Sequence, residues 1–565
     1  MRILDLLRMS SANLWKRKVR TLLTILGVVI GTASIVVMVS LGLGLNKATM
    51  EDIEQYGGLT TIEVREGRGD SSSYTTYSIG GGGSVTFSSD SGSSSSKDKV
   101  MRLDDAAVSL LESLDHVENV YPVLQLNIVA KYGQYVDDYM TIQGMPPEGY
   151  DRGALYTKED INNALAAETA EERKRIVPSE DRSGHGTAVA GIMAGNGSSS
   201  GGVNRGAAPG SELLVVKMGM TNEGGFPRTT ELMLGLDFVI REAIHAGKPV
   251  AVNVSFGNSY GAHDGSSLLE SYIDTVSQIW KNNIIIAAGN NAVSAGHFRA
   301  VMISEKTLDA DISVSEYERS LNVQIWKYYG DEADIEIISP SGESSGQIKK
   351  ILGPQRFRLE NTEILLYYGE PAPYSINQEI YIDFIPQRQY LTGGIWTIRL
   401  LPGRIIRGDI QMWLPTAGVL NQNTGFLRPD PDLTITVPGT AKKAITVGAY
   451  NIWLDDYADF SGRGYMGAFA SVKPELSAPG VDITTTLAGG GYTVVSGTSF
   501  AVPFVTGAAA LLMEYGIVRK NDPYLYGDKL KAYLLAGARP LRGVSIYPDI
   551  RVGFGALCLE NSFPD

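Results

Sequence analysis

Cysteine is nearly absent: Cys558 is the single one in 565 residues. No intrachain disulfide can form, and no Cys-His pairing signal surrounds this thiol, so it reads as a small core side chain rather than a nucleophile. Positive charge is also in the minority. Lys and Arg number 49 against 62 Asp and Glu, a formal net charge of -13, which excludes nucleic acid as a general partner because phosphate binding needs a basic face. Long uncharged apolar runs are missing after Asn46. What remains is a globular composition, 43% hydrophobic and 20% charged, in a chain too long for one ordinary core.

The N-terminus differs from the rest. Thr21 to Asn46 carries no charge, and TLLTILGVVIGTASIVVMVSLGLGL is almost wholly apolar or small. At about 1.5 Å per residue it can cross a hydrocarbon layer of about 30 Å. A signal peptide would have a shorter apolar core and a small-residue cleavage site, so a retained membrane helix over 21–46 is expected. Arg2, Arg8, Lys16, Arg17, Lys18 and Arg20 all precede it. The positive-inside rule then leaves the N-terminus in the cytoplasm and everything after the helix outside, a single-pass arrangement in a cell membrane.

Beyond the helix lie a short strand-like patch at Thr61 to Val64 and a Gly/Ser-rich stretch from Gly67 to Lys99, which buries too little apolar surface to offset its ordering entropy and reads as a linker. Leu103 to Leu114 suits a short helix, and strand-like pieces follow at Val120 to Val129 and Tyr139 to Gln143. LWKRKVRTLLTILGVVIG, VENVYPVL and TIQGMPPEGY make residues 1–150 resemble the N-terminal part of a macrolide-export-type ABC transporter permease. That resemblance implies a first membrane helix leading into an extracytoplasmic domain. The three later membrane helices of that family have no counterpart after Asn46.

From Tyr156 the texture changes. Tyr156 to Ile176 is charged and helix-prone, and strands and helices alternate after it. Glu212 to Lys217 reads as a buried strand, Thr229 to Ala246 as an amphipathic helix, Pro249 to Ser255 as a strand, Leu268 to Lys281 as a helix and Asn283 to Ala288 as a strand. This order implies a parallel sheet with crossover helices on both faces. Between His297 and Asp430 the period becomes two, as in Ile380, Ile382 and Phe384 or Trp396, Ile398 and Leu400. The expectation is an antiparallel β-sandwich, 298–430, inserted into an α/β domain of 156–297 and 431–565. The parallel pattern resumes at Thr434, runs through Ala444 to Ala449, and ends in a long helix after Ser499.

Three motifs carry chemistry. SGHGTAVAGIMAG sets His185 at a glycine-flanked turn that feeds a helix, where Gly184 and Gly186 allow a sharp turn and close approach of a substrate. By itself it could be a plain turn. NIIIAAGNN ends a buried strand at Gly289 and Asn290, on the side of an open α/β sheet where ligands sit. An Asn amide there can donate to a developing oxyanion, worth about 3 kcal/mol, or merely hold a turn. SGTSFAVPFVTGAAALLMEYG begins a helix at a Gly-Thr-Ser turn. Ser499 there meets free N–H groups and the helix dipole, Pro503 is tolerated for lying close to the helix start, and the alternative is simple capping by Thr498 or Ser499.

In this order, and with VNVSFGN, ITVPGTAKKAITVGAY, YADFSGRG and KPELSAPG, the region from Tyr156 to Asp565 resembles the subtilisin family of serine proteases. The inserted sandwich and YTKEDINNAL resemble its clostridial germination-protease branch. The resemblance implies that Ser499 attacks the scissile carbonyl, His185 takes and returns the proton, and Asn290 with a backbone N–H holds the oxyanion. It also implies that Ser255, Phe256 and Gly257 pair with extended peptide or protein substrate. The family often binds calcium, but no carboxylate cluster here is distinctive enough to assign a metal.

One family element is not found. The triad Asp ends an apolar strand at Asp-Ser-Gly or Asp-Thr-Gly, and Asp137, Asp138, Asp151, Asp160 and Asp181 all lack that setting. Loss of this group costs about 10⁴-fold in turnover, a magnitude from subtilisin and other serine proteases. Three readings follow from the sequence. One is a membrane-tethered serine endopeptidase that recruits another carboxylate, Asp137 or Asp138. The second is a pseudoprotease binding module, and the third a non-functional fusion joined near Gly149 to Ala154.

Overall fold

The computed structural model describes residues 155–179, 181, 183–218, 229–373, 375–416, 418–464 and 472–563, and the backbone of four strands between 72 and 144. The membrane helix expected over 21–46, the strand at 61–64 and the helix at 103–114 lie outside the described residues. The chain divides into two compact units, 1–74 with 88–162 and 75–87 with 163–565.

Inside the stretch expected to be a linker, Ser72–Ile79 (β1) and Gly83–Asp90 (β2) pair as a two-stranded sheet. The Tyr, Thr, Val and Phe residues scattered among the serines carry enough strand propensity to override the low-complexity reading. In the first unit, Leu124–Tyr132 (β3) and Tyr135–Gly144 (β4) form an antiparallel hairpin, with a register shift between Ile128 and Ala130. Helix α1, Lys158–Ala166, starts where Thr157 Oγ1 donates to Asp160 Oδ2 at 2.6 Å and the Asp160 N–H returns to Thr157 Oγ1 at 3.3 Å. That reciprocal pair satisfies donors that every helix start leaves open.

The second unit opens with α2 (Ala170–Ile176), α3 (His185–Ala194) and α4 (Thr229–Ala246). Its sheet contains Val250–Val254 (β5) and Asn282–Ala287 (β6), with α5, Leu268–Val276, between them. After the insert come Ile445–Asn451 (β17), Asp456–Tyr457 (β18) and Leu476–Pro479 (β19). Strands β5, β6, β17 and β19 run parallel in that order, and β18 folds back antiparallel on β17. Ile284, Ile285 and Ile286 of β6 are all buried, the continuous apolar run that a parallel strand covered on both faces requires. Helix α6, Thr498–Met513, lies on this sheet through Ala501, Val502, Val505, Ala508 and Leu512 against Ile285, Val447 and Ala449. In α4, Leu232, Leu236, Val239, Ile240 and Ala243 form the buried stripe that the 3.6-residue period predicts.

Residues 212–217 depart from expectation. They form no strand, and Leu213, Leu214, Val215 and Val216 are 51, 43, 74 and 37% exposed. A short apolar run becomes a strand only if a neighbour completes its ladder, and among the described residues β5 is the end of the sheet.

The insert consists of β7 (His297–Val301), β8 (Leu308–Val314), β9 (Leu321–Tyr328), β10 (Ala333–Ile338), β11 (Gly353–Leu359), β12 (Thr362–Tyr368), β13 (Asn377–Pro386), β14 (Gly394–Pro402), β15 (Asp409–Trp413) and β16 (Gly425–Phe426). One sheet has the order β10-β14-β8-β16, the other β11-β12-β13-β9-β15-β7, and every pairing is antiparallel. Between them lies one apolar core that includes Ile312, Ile325, Ile337, Ile382, Phe384, Trp396 and Ile398. The larger sheet meets the loop after β5: Gly261 N–H donates to Gln324 Oε1 at 2.9 Å, and Asn322 Nδ2 donates to Tyr260 Oη at 3.1 Å. His263 stacks on Trp413, ring centroids 4.2 Å apart.

Candidate active site

His185 is the first residue of α3. Gly184 before it sits at φ +73°, a left-handed conformation that costs a side-chain-bearing residue and costs glycine nothing. Asp181 caps this helix. Its Oδ1 accepts from Gly184 N–H at 2.9 Å and Ser183 Oγ at 3.2 Å, and its Oδ2 accepts from Thr187 N–H at 2.8 Å and Thr187 Oγ1 at 2.7 Å. Partial burial works against ionisation, but these hydrogen bonds outweigh it and hold the carboxyl down at about 2. Both carboxylate oxygens are thus engaged by the helix start, and among the described residues no carboxylate hydrogen-bonds the His185 ring.

The His185 ring packs at 51° on Phe500, with centroids 5.3 Å apart. Loss of solvent around the ring lowers its pKa below the ordinary imidazole value, and the negative charge of Asp181 opposes that shift. The neutral, proton-accepting form is therefore favoured.

Asn290 follows β6 and is exposed. Its Oδ1 accepts from both Thr498 N–H and Thr498 Oγ1, each at 3.0 Å, while Thr498 Oγ1 in turn accepts from Gly289 N–H at 3.1 Å. A backbone N–H can only donate, so the amide is fixed with its oxygen toward Thr498 and its Nδ2 turned the other way. Gly497 completes the fit. It has φ +147°, and a Cβ there would approach Asn290 Nδ2 to 3.3 Å.

Ser499 is the second residue of α6, where backbone N–H groups lack intrahelical partners and the dipole favours negative charge. Its carbonyl is special. Pro503, four residues on, has no N–H to bond it. Ser255 Oγ supplies the donor at 2.8 Å, itself accepting from Asn253 Nδ2 at 2.9 Å. Pro503 is thus tolerated because a strand-end serine replaces its missing hydrogen bond, rather than through nearness to the helix start alone.

Around the first turn of α6, His185 meets Phe500, Asn290 meets Thr498 and Ser255 meets Ser499. Gly257 packs against the Thr436 side chain, and Asn258 exchanges hydrogen bonds with Val437 at 3.0 and 2.8 Å. Asp137 and Asp138 lie on β4 in the other unit. Sequence reasoning passed over Thr498 as an orienting residue, Phe500 as the support for the His185 ring and Ser255 as the partner of the Ser499 carbonyl. The proline four residues after Ser499 was the available signal for the last. Among the described residues no group of three or more His, Cys, Asp or Glu side chains converges to hold a metal.

A histidine, a helix-borne serine and an oriented Asn gathered around one helix start on a parallel α/β sheet are the types of group that serine hydrolases use. The Subtilase family matches residues 138–358 and 421–555, more than half of the chain, and the chain belongs to that family. It is similar to the solved CspB protease of Clostridium perfringens at 36% identity and a TM-score of 0.68, covering 74% of this chain and 88% of that one. A PII-type proteinase of Lactococcus lactis subsp. cremoris is 23% identical over 504 residues, 82% of this chain and 24% of that protein. Residues 21–190 match the MacB-like periplasmic core domain, overlapping the protease match over 138–190. The macrolide export ATP-binding/permease protein MacB of Vibrio parahaemolyticus is 27% identical over 193 residues, 33% of this chain and 26% of that protein. The chain spans about a quarter of the length of the first curated relatives it matches.

One described helical stretch, Thr498–Val518, is long and apolar enough to cross a membrane. It is mostly buried and includes α6, so its apolarity is accounted for by the protease core.

Proposed function

We propose that the chain is a serine endopeptidase tethered to a membrane by residues 21–46, N-terminus in the cytoplasm and protease domain outside. Ser499 Oγ attacks the carbonyl carbon of a peptide or protein substrate. His185 accepts the hydroxyl proton and returns it to the leaving amine. Asn290 Nδ2 and a backbone N–H at the start of α6 hold the oxyanion. The observation that carries this reading is that Asn290 and His185 meet Thr498 and Phe500, the two residues that flank Ser499 at one helix start. Fluorophosphonate labelling of the full chain in detergent tests it: labelling is expected in the wild type and lost in Ser499→Ala and His185→Ala. A folded wild type that stays unlabelled would overturn it.

A second reading has its own support, because both Asp181 oxygens are committed to the α3 cap. A His185 without a carboxylate partner turns over slowly, and the cleft then holds a peptide more than it cuts it. Labelling at Ser499 without turnover of any peptide would favour this second reading.

A further inference from the structure

The loop between β17 and β18 carries three consecutive exposed apolar residues, Ile452, Trp453 and Leu454, at 49, 80 and 67% exposure. They are held outward. Asn451 Oδ1 accepts from the N–H groups of Trp453 at 2.9 Å and Leu454 at 3.2 Å, and the loop closes at Asp455 with φ +52°. Asp455 is paired with Arg539 at 2.8 Å, which neutralises the base of the loop. The backbone of Arg542 bonds Asp455 O at 2.9 Å, bringing in a second loop with an exposed Arg542 side chain and Ile546 at 75% exposure.

We infer that this tip, Ile452–Leu454 with Arg542 beside it, dips into the interfacial layer of a lipid bilayer. Three exposed apolar side chains fall short of the roughly 800 Å² per partner that a stable protein interface takes. Lipid demands no complementary surface, and each apolar residue gains independently on entering the headgroup boundary, where Trp is the favoured side chain. The exposed guanidinium of Arg542 suits anionic headgroups. The inference rests on the tethered reading of residues 21–46, which keeps the domain beside a bilayer and makes one small contact sufficient.

The consequence concerns the substrate. β17 runs parallel to β6 with Val447 opposite Ala287, so the tip extends from the same end of the sheet as Asn290. Docking the tip turns the cleft toward the headgroups, and the substrates in reach are extended protein segments at the membrane surface.

The test uses the full chain reconstituted in phosphatidylcholine/phosphatidylglycerol vesicles, with and without brominated acyl chains. Flotation reads the tether. The emission difference between wild type and Trp453→Phe reads the tip. A blue-shifted difference signal that is lost in brominated vesicles is the expected result. Flotation with a difference signal indifferent to bromine would overturn the tip contact alone. Failure of both proteins to float would overturn the tether, and the tip contact with it. Trp453-dependent self-association in detergent, by sedimentation, would replace lipid by a second copy.

Discussion

Asn290 Oδ1 accepts two hydrogen bonds from one residue, Thr498, through its backbone N–H and its hydroxyl, each at 3.0 Å. The threonine beside Ser499 therefore sets the direction in which the Asn290 amide donates. Asn290→Ala should lower the fluorophosphonate labelling rate by about 10²- to 10³-fold, the cost of one oxyanion donor in subtilisin, another member of this family. Thr498→Val keeps the backbone bond and loses the hydroxyl one. It should cost about 10-fold, the equivalent of one neutral hydrogen bond. An Asn290→Ala background in which Thr498→Val still costs 10-fold would show that Thr498 acts by another route.

The pH dependence of labelling follows from His185. Partial burial of the ring depresses its pKa, and the Asp181 charge raises it. In the proposed reaction the neutral ring is the base, so labelling should rise with pH through a midpoint below the ordinary 6.5. Asp181→Asn should move that midpoint lower still. It also weakens the α3 cap, because the amide keeps one acceptor oxygen where the carboxylate uses two, and denaturant melts should show the loss. Because the Asp181 carboxyl sits at about 2 in place of 3.8, its stabilisation is complete above 3.8 and disappears as pH falls through 2. An unmoved midpoint in Asp181→Asn would sink the electrostatic link.

Much of this molecule was legible because periodicity is a physical consequence of burial. The apolar run Ile284, Ile285 and Ile286 reports a strand covered on both faces, and Leu232, Leu236, Val239, Ile240 and Ala243 report one helix stripe. The same logic misled at Leu213 to Val216, where the run is equally apolar but exposed, since pairing depends on a neighbour that local sequence does not encode. At the candidate site, glycines and the order along the chain singled out His185, Asn290 and Ser499, which the structure gathers around one helix start. The bond from Ser255 to the Ser499 carbonyl spans 244 positions, and no local pattern announces a contact of that range.

Two carboxyls of β13, Glu379 and Asp383, should make the insert sensitive to pH. Burial raises both Glu379 and Asp383 to about 7, and Glu379 Oε1 has no hydrogen-bond partner. The folded state holds these protons more tightly than the unfolded chain. Their contribution is therefore full below the ordinary carboxyl range and is lost as pH rises through 7. The melting temperature should fall between about pH 5 and about pH 8, and Glu379→Gln with Asp383→Asn should flatten that fall. A wild-type melting temperature constant over this range would remove the two groups as the cause.

Ser255 gives the most discriminating test of how Ser499, the proposed nucleophile, is placed. Its hydroxyl bonds the Ser499 carbonyl that Pro503 leaves without a donor. Ser255→Ala strands that carbonyl, at a cost of about 1–3 kcal/mol in stability, and frees the first turn of α6 to shift. Small displacements of a nucleophile are expensive, up to about 10²-fold in rate for about 1 Å. Labelling of Ser255→Ala should therefore slow well beyond what partial unfolding explains, with Ser255→Thr restoring most of it. Adding Pro503→Ala supplies the missing N–H, and the double variant should recover both stability and labelling relative to Ser255→Ala. If Pro503→Ala gives no recovery, the hydroxyl of Ser255 serves the site through something other than the Ser499 carbonyl.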